Sequence, residues 1–211
     1  MTQPASPPVP TNPVFVGWLN SLNACAPAID FFMPAVNYQT AYAALGNPEW
    51  LLWISLRQAP DVKEIERIVG ALVGYMEADI LAAITDAPST TVVTAALAIV
   101  TAFGAGNPPP DIRQLMPTQN SVERTAVAVP LTSDNAGIAR SYAVSAASRL
   151  VQLCMMSDPV EAARTGGQLG LAWQGLELAL GRVTKNGVGL AVCHGLRTVL
   201  PFKGDYAPTG A

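Results

Sequence analysis

With 211 residues, 12 Lys and Arg against 15 Asp and Glu, and a formal charge of −3, the chain suits one ordinary domain and is too acidic for a nucleic-acid groove. Half of its residues are hydrophobic and only 13% are charged, about half the usual share of roughly 25%, which excludes disorder throughout. A chain of this size can bury about 70% of its unfolded surface, so its core needs neither metal nor disulfide staples.

The chain opens on Pro4, Pro7, Pro8, Pro10 and Pro13, so residues 1–13 are predicted as an extended arm, since proline fixes φ and removes a donor. Its first ten residues hold no Lys, no Arg and no apolar core, and no cleaved signal peptide is expected. Phe15 and Trp18 follow as candidate interface residues where the arm meets the body. The body, residues 14–202, has a helical period. Ile65, Val69, Leu72 and Met76 recur at i, i+4, i+7 and i+11 while Lys63, Glu64, Glu66 and Arg67 lie largely off that stripe. Asp61 is the expected N-cap there, with Glu64 as its capping-box partner.

Ser89 is read as the cap of the next helix, which runs to Phe103 before Gly104 and Gly106 stop it. The apolar run from Thr91 to Gly104 is too short to span a bilayer about 30 Å thick, so no membrane span is expected. Pro108, Pro109, Pro110 and Pro117 mark residues 107–118 as a long loop dividing the body into two halves. Ser121 to Val129 fits either a short helix or a strand. Asp134 then opens a helix with the stripe Ala143, Ala146, Leu150 and Leu153. Asp158 caps another, with Pro159 at its first position and the stripe Leu169, Trp173, Leu176 and Leu180. A last helix covers Val188 to Leu200, and residues 203–211 form an irregular tail. The predicted class is all-α: a single compact domain of seven to nine helices. Gly70 with Gly74, and Gly166 with Gly170, interrupt two of these helices at about 1 kcal/mol each, which close helix packing within the chain would explain.

Catalytic chemistry is hard to assemble from this inventory. His194 is the only histidine, and Cys25, Cys154 and Cys193 are scattered, so no metal site and no disulfide framework is expected. The three are read as free, inert thiols of a cytoplasmic protein, or of a particle assembled in the cytoplasm. No Lys precedes Ser or Thr, which removes a Walker A loop, and Glu77 and Asp79, two apart, point in different directions. The chain is read as no enzyme, with no cofactor.

Its most specific stretch runs from Asn23-Ala24-Cys25-Ala26-Pro27 through Ala41-Tyr42-Ala43-Ala44 to Glu49-Trp50-Leu51-Leu52-Trp53-Ile54-Ser55-Leu56-Arg57. This resembles a family of all-helical immunity proteins of bacteria and phages over about the first hundred residues, with Cys25, Tyr42, Trp50 and Trp53 in register. It departs at Leu45, where the family often has a second cysteine, at Asn47-Pro48, where Arg-Gly is usual, and at Tyr42, where Trp is commoner. No catalytic residue carries over. The resemblance implies a helical protein that neutralises or binds another protein.

Read physically, Trp50, Trp53, Tyr42, Cys25 and Trp173 are expected in the core, with Phe31, Phe32 and Tyr42 packed on the paired tryptophans. Sparse charge and two ends that are uncharged or nearly so point to partners, either another protein or copies of the same chain. Two functions follow: a protein-binding module of immunity type, or a structural subunit of a phage or virus particle tied to its neighbours by its arms.

Overall fold

A computed structural model describes residues 13–35, 37–107, 112–128 and 134–200. Among the described residues there are ten helices and no strand, so the chain is all-α. It falls into two units, Met1–Leu45 with Phe202–Ala211, and Gly46–Pro201. Residues 1–12 and the tail 203–211 lie outside the described residues, as does the side chain of Phe15.

The smaller unit has three short helices: α1 (Pro13–Ser21), α2 (Ala26–Phe32) and α3 (Tyr38–Ala44). Pro13, expected in the arm, starts α1 instead, where its missing N–H costs nothing. Asn23 adopts φ 59° in the turn after α1, a left-handed conformation that asparagine tolerates. Asn37 starts α3 by accepting a hydrogen bond from Thr40 N at 2.8 Å. Trp18 meets Tyr38 edge-on at 5.1 Å, and Tyr38 meets Tyr42 at 5.9 Å. Tyr42 is buried, as expected, but Cys25 is exposed. It stands just before α2, at the N-cap, where its backbone is extended and its thiol caps nothing.

The larger unit holds α4 (Pro48–Arg57), α5 (Val62–Ala82), α6 (Ala87–Gly104), α7 (Ile112–Ala128), α8 (Asn135–Leu153), α9 (Pro159–Ala179) and α10 (Val188–Val199). Asp61, Asp134 and Asp158 cap α5, α8 and α9 by accepting from Glu64 N, Gly137 N and Val160 N. Ser89 does not cap α6. Asp86 does, accepting from Ser89 N at 2.9 Å, and Ser89 sits buried one turn in. Residues 107–118 are not loop throughout, because α7 starts at Ile112 and carries Pro117 inside. Leu115 and Val122, seven apart, are both buried and anchor that helix, while Pro117 lies on its exposed side. The ambiguous stretch after Ser121 is likewise helical, to Ala128.

Buried stripes hold the unit together. Ile65, Val69, Leu72 and Met76 of α5, and Ala143, Ala146, Leu150 and Leu153 of α8, are all fully buried. α9 lies against both α4 and α8. A Cβ on Gly170 would run into the Pro48 carbonyl oxygen, and one on Gly166 into the Leu56 side chain, so these glycines let α4 approach α9 closely. Gly70 meets the backbone of Gly104 on α6 in the same way, whereas Gly74 faces open space.

That close crossing decides which side of α4 goes inward. Leu51, Leu52, Ile54 and Leu56 are fully buried, whereas Trp50 and Trp53 are only half-buried, contrary to their expected place in the core. Leu56 lies over Gly166, while Gly170 meets the Pro48 carbonyl and Gly167 meets Glu49, with Trp53 Cβ 3.9 Å from where a Cβ on Gly167 would stand. Trp173 is the tryptophan that fills the core.

Candidate functional site

Trp18 and Tyr42 are linked through Tyr38, Trp50 and Trp53 share a helix, and Trp173 lies on α9 beside Tyr75, ring centroids 5.7 Å apart. Trp173 Nε1 is buried without a hydrogen-bond partner. On α10, Cys193 is buried while its neighbour His194 is exposed, so adjacent residues turn to opposite sides. Burial pushes the thiols of Cys154 and Cys193 up to about 12, which leaves both inert at neutral pH. Among the described residues no group of three His, Cys, Asp or Glu side chains could hold a metal ion.

Two ionic clusters lie where sequence reasoning saw only caps and solvated acids. In the first, Arg140 of α8 is buried and donates from Nε to Asp86 Oδ2 at 2.7 Å, and from Nη2 to Ser89 Oγ at 2.6 Å and Thr125 O at 3.3 Å. One guanidinium thereby ties α6, α7 and α8. The Ser89 hydroxyl, the Ser89 amide and Arg140 outweigh partial burial and hold the Asp86 carboxyl at about 2.

The second cluster joins the ends of α5 and α9. Arg182 follows Gly181, whose φ of +69° ends α9, and grips the Asp79 carboxylate with both terminal nitrogens, Nη2 to Oδ1 at 2.7 Å. Glu177 lies 3.5 Å from the same guanidinium. Burial raises the Glu177 carboxyl above its usual range, partly offset by Arg182, and Asp79 raises it further. Tyr75 is raised too, first by burial and then by Glu177 and Asp79; its hydroxyl fills the place that a Cβ on Gly195 would occupy. Neither cluster pairs a nucleophile with a base. Both fasten helices.

A further surface of the unit faces outward. α8 and α9 are joined by residues 154–158 and run antiparallel, with the Tyr142 ring lying over Gly175 where a side chain would collide. Ile138 is one turn before Tyr142 on α8, and Leu171 and Leu178 flank Gly175 on α9, so the four share one outward face. They are 38%, 39%, 48% and 40% exposed. Farther toward the connecting turn the same face carries Arg149 and the exposed Arg164. The indoles of the α4 stretch were expected in the core; these four side chains had no signal beyond falling off the buried stripes.

The fold and this face together define an all-helical protein with an apolar outer surface on a helical hairpin. No protein-family model, no curated protein and no solved structure matches the chain.

Proposed function

We propose that the chain is a non-enzymatic protein-binding module, of the immunity type that its stretch from Asn23 to Arg57 resembles, acting by occluding another protein. The observation that carries this reading is the face of Ile138, Tyr142, Leu171 and Leu178, four large apolar side chains gathered on one hairpin. Grouped exposed apolar residues mark interaction sites, and Tyr and Arg are enriched among residues that dominate binding energy. The free, buried thiols of Cys154 and Cys193 suit a reducing, cytoplasmic setting.

A second reading, a structural subunit of a phage or virus particle or another homo-oligomeric assembly, draws on α6. Its 18 residues carry no charge, and Thr91, Thr94, Ala95, Ala98 and Thr101 are all exposed. By length and composition alone the 18-residue α6 is long and apolar enough to cross a membrane, a test that the core helix of a soluble protein also passes; 33% of it is buried in the fold.

Photo-crosslinking from position 142, with position 94 as comparison, tests the two readings. A discrete adduct with a different chain from position 142, lost on Leu171→Asp, supports the binding module. Adducts between copies from position 94, with a defined large species in sedimentation, favour the structural subunit. Failure to crosslink from position 142 in cells making the protein overturns the first reading.

A further inference from the structure

The turn between α9 and α10 holds the chain's single Asn-Gly pair, Asn186-Gly187. Residues 184–187 are all exposed, and Gly187 takes φ +92° with open space where a side chain would stand. Glycine reaches that left-handed conformation without strain, and its missing side chain leaves the nitrogen open to attack a neighbour. As the N-cap of α10, Gly187 gives its carbonyl to the amide of Ala191. Its own N–H has no hydrogen-bond acceptor among the described residues. The other half of the same peptide group is held: the Thr184 hydroxyl donates to the Asn186 carbonyl oxygen at 2.8 Å. Asn20 and Asn120 also precede a small residue, serine, but they lie within α1 and α7, where helical bonding occupies the next amide.

We infer that Asn186 is a self-modification site, where attack by the Gly187 nitrogen converts the side-chain amide to a carboxylate and the Thr184 hydroxyl promotes the step. The Gly187 N–H gives its proton to a base in the solvent, and the nitrogen attacks Asn186 Cγ. The new N–Cγ bond closes a cyclic imide, the Cγ–Nδ2 bond breaks, and Nδ2 leaves as ammonia. Water then opens the imide. Cleavage of the N–Cγ bond gives aspartate; cleavage of the bond from that nitrogen to the main-chain carbonyl carbon gives isoaspartate. One water is consumed and one ammonia released, and nothing is oxidised or reduced. Loss of the proton puts negative charge on the Asn186–Gly187 peptide group, and resonance carries it onto the Asn186 oxygen. A donor fixed on that oxygen stabilises the anion more than the neutral amide, as it does wherever an oxyanion develops. Thr184 is placed there in the folded turn. The product adds a negative charge just before α10, whose first turn has no acidic residue and whose N-cap makes no side-chain bond. The aspartate form therefore favours the start of that helix, and the isoaspartate form lengthens the main chain there by a methylene.

The test incubates the full chain in mildly alkaline buffer beside Thr184→Val and Thr184→Ser, with Thr184→Ala as a further variant should Thr184→Val lose its wild-type circular dichroism. Conversion is read by mass spectrometry of the peptide spanning position 186, by ammonia release and by an acidic shift in isoelectric focusing. In the parent, position 186 becomes a mixture of aspartate and isoaspartate while Asn20 and Asn120 keep their amides. Thr184→Val slows the conversion roughly threefold to tenfold, the range that one net hydrogen bond controls, and Thr184→Ser, which keeps the hydroxyl, restores it. In urea the parent and Thr184→Val convert at one rate, because the turn that brings the hydroxyl to the carbonyl is lost. An amide at position 186 that lasts as long as those of Asn20 and Asn120 overturns the inference outright. Aspartate without isoaspartate means that water attacks Cγ directly, which overturns attack by Gly187. A folded Thr184→Val that converts as fast as the parent or faster, or a difference that survives in urea, overturns the part given to the Thr184 hydroxyl.

Discussion

Arg140 and Arg182 do the same job under opposite conditions. Each bridges segments far apart in the chain, Arg140 to Asp86 and Arg182 to Asp79, and each uses a guanidinium because its fork can serve two acceptors at once. Arg140 is buried, meets one carboxylate and spends its remaining donors on a hydroxyl and a carbonyl. Arg182 is 44% exposed in its side chain and faces two carboxylates, Asp79 and Glu177. The first arrangement is balanced in charge, with a buried guanidinium on a carboxylate that is 33% exposed; the second carries a surplus negative charge, with the guanidinium in water and the carboxylates less exposed. Removing Arg140 leaves the buried Ser89 hydroxyl without its donor, while water replaces much of what Arg182 supplies from its exposed position.

The comparison also asks what holds each region apart from its ions. Around Arg182 the answer is Trp173, fully buried and packed on Tyr75. Trp173→Ala should cost about 3–5 kcal/mol, the largest effect expected in the molecule, measured by urea unfolding. A loss as small as that of an exposed ion pair would mean that the indole, whose Nε1 has no partner, contributes little. Next comes Arg140→Met, which strands Asp86 and Ser89 near the start of α6 and should cost about 2–3 kcal/mol. Arg182→Met removes an exposed bridge and should cost about 0.5–1 kcal/mol, falling further in high salt. If the two arginine substitutions cost the same, burial does not distinguish the clusters and the contrast fails.

Which of these features the sequence could reveal follows from the range of the interactions. Asp61, Asp134 and Asp158 act on amides two or three residues away, and the stripes of α5 and α8 repeat every turn, so both were legible. Misplacing the α6 cap at Ser89 came from the same rule, with Asp86 just before Ala87-Pro88 overlooked as the better start. Pro117 suggested loop, but Leu115 and Val122 bury enough to carry a helix past it. The aromatic pair at Trp50 and Trp53 read as core because indoles are bulky and apolar. The partner that sets the inward side is α9, more than 100 residues later, where Gly166, Gly167 and Gly170 admit Leu56, Glu49 and the Pro48 carbonyl. Arg140 finds Asp86 54 residues away and Arg182 finds Asp79 103 residues away, and no local pattern announces either partner. The apolar face of α8 and α9 was hidden for a related reason. Tyr142 and Leu178 look like core residues until the buried stripe is known to lie elsewhere on each helix.

The two clusters should part most clearly in acid, and Glu177 is where to see it. Asp86 titrates at about 2 in the folded chain against an ordinary 3.8, so its contribution to stability is present above pH 3.8 and is lost as the pH falls toward 2. Glu177 runs the other way. Burial, with Asp79 beside it, raises its carboxyl above the ordinary 4.5 despite Arg182, so the folded chain holds this proton at a pH where the unfolded chain has released it. Its contribution is therefore fully present below pH 4.5 and is lost as the pH rises through the folded value. Acidification from neutrality should first stabilise the protein slightly, as Glu177 takes its proton while Arg182 stays on Asp79, and then destabilise it once Asp86 begins to protonate. Glu177→Gln should abolish the early gain and leave the later loss, and Asp86→Asn should do the reverse, both read from urea midpoints between about pH 7 and pH 2. The effect is small because the Glu177 side chain is still 12% exposed and its guanidinium partner stands in water. A Glu177→Gln profile that overlays the parent across the whole range would mean that Arg182 cancels the burial of Glu177, and the two clusters would then differ in exposure alone.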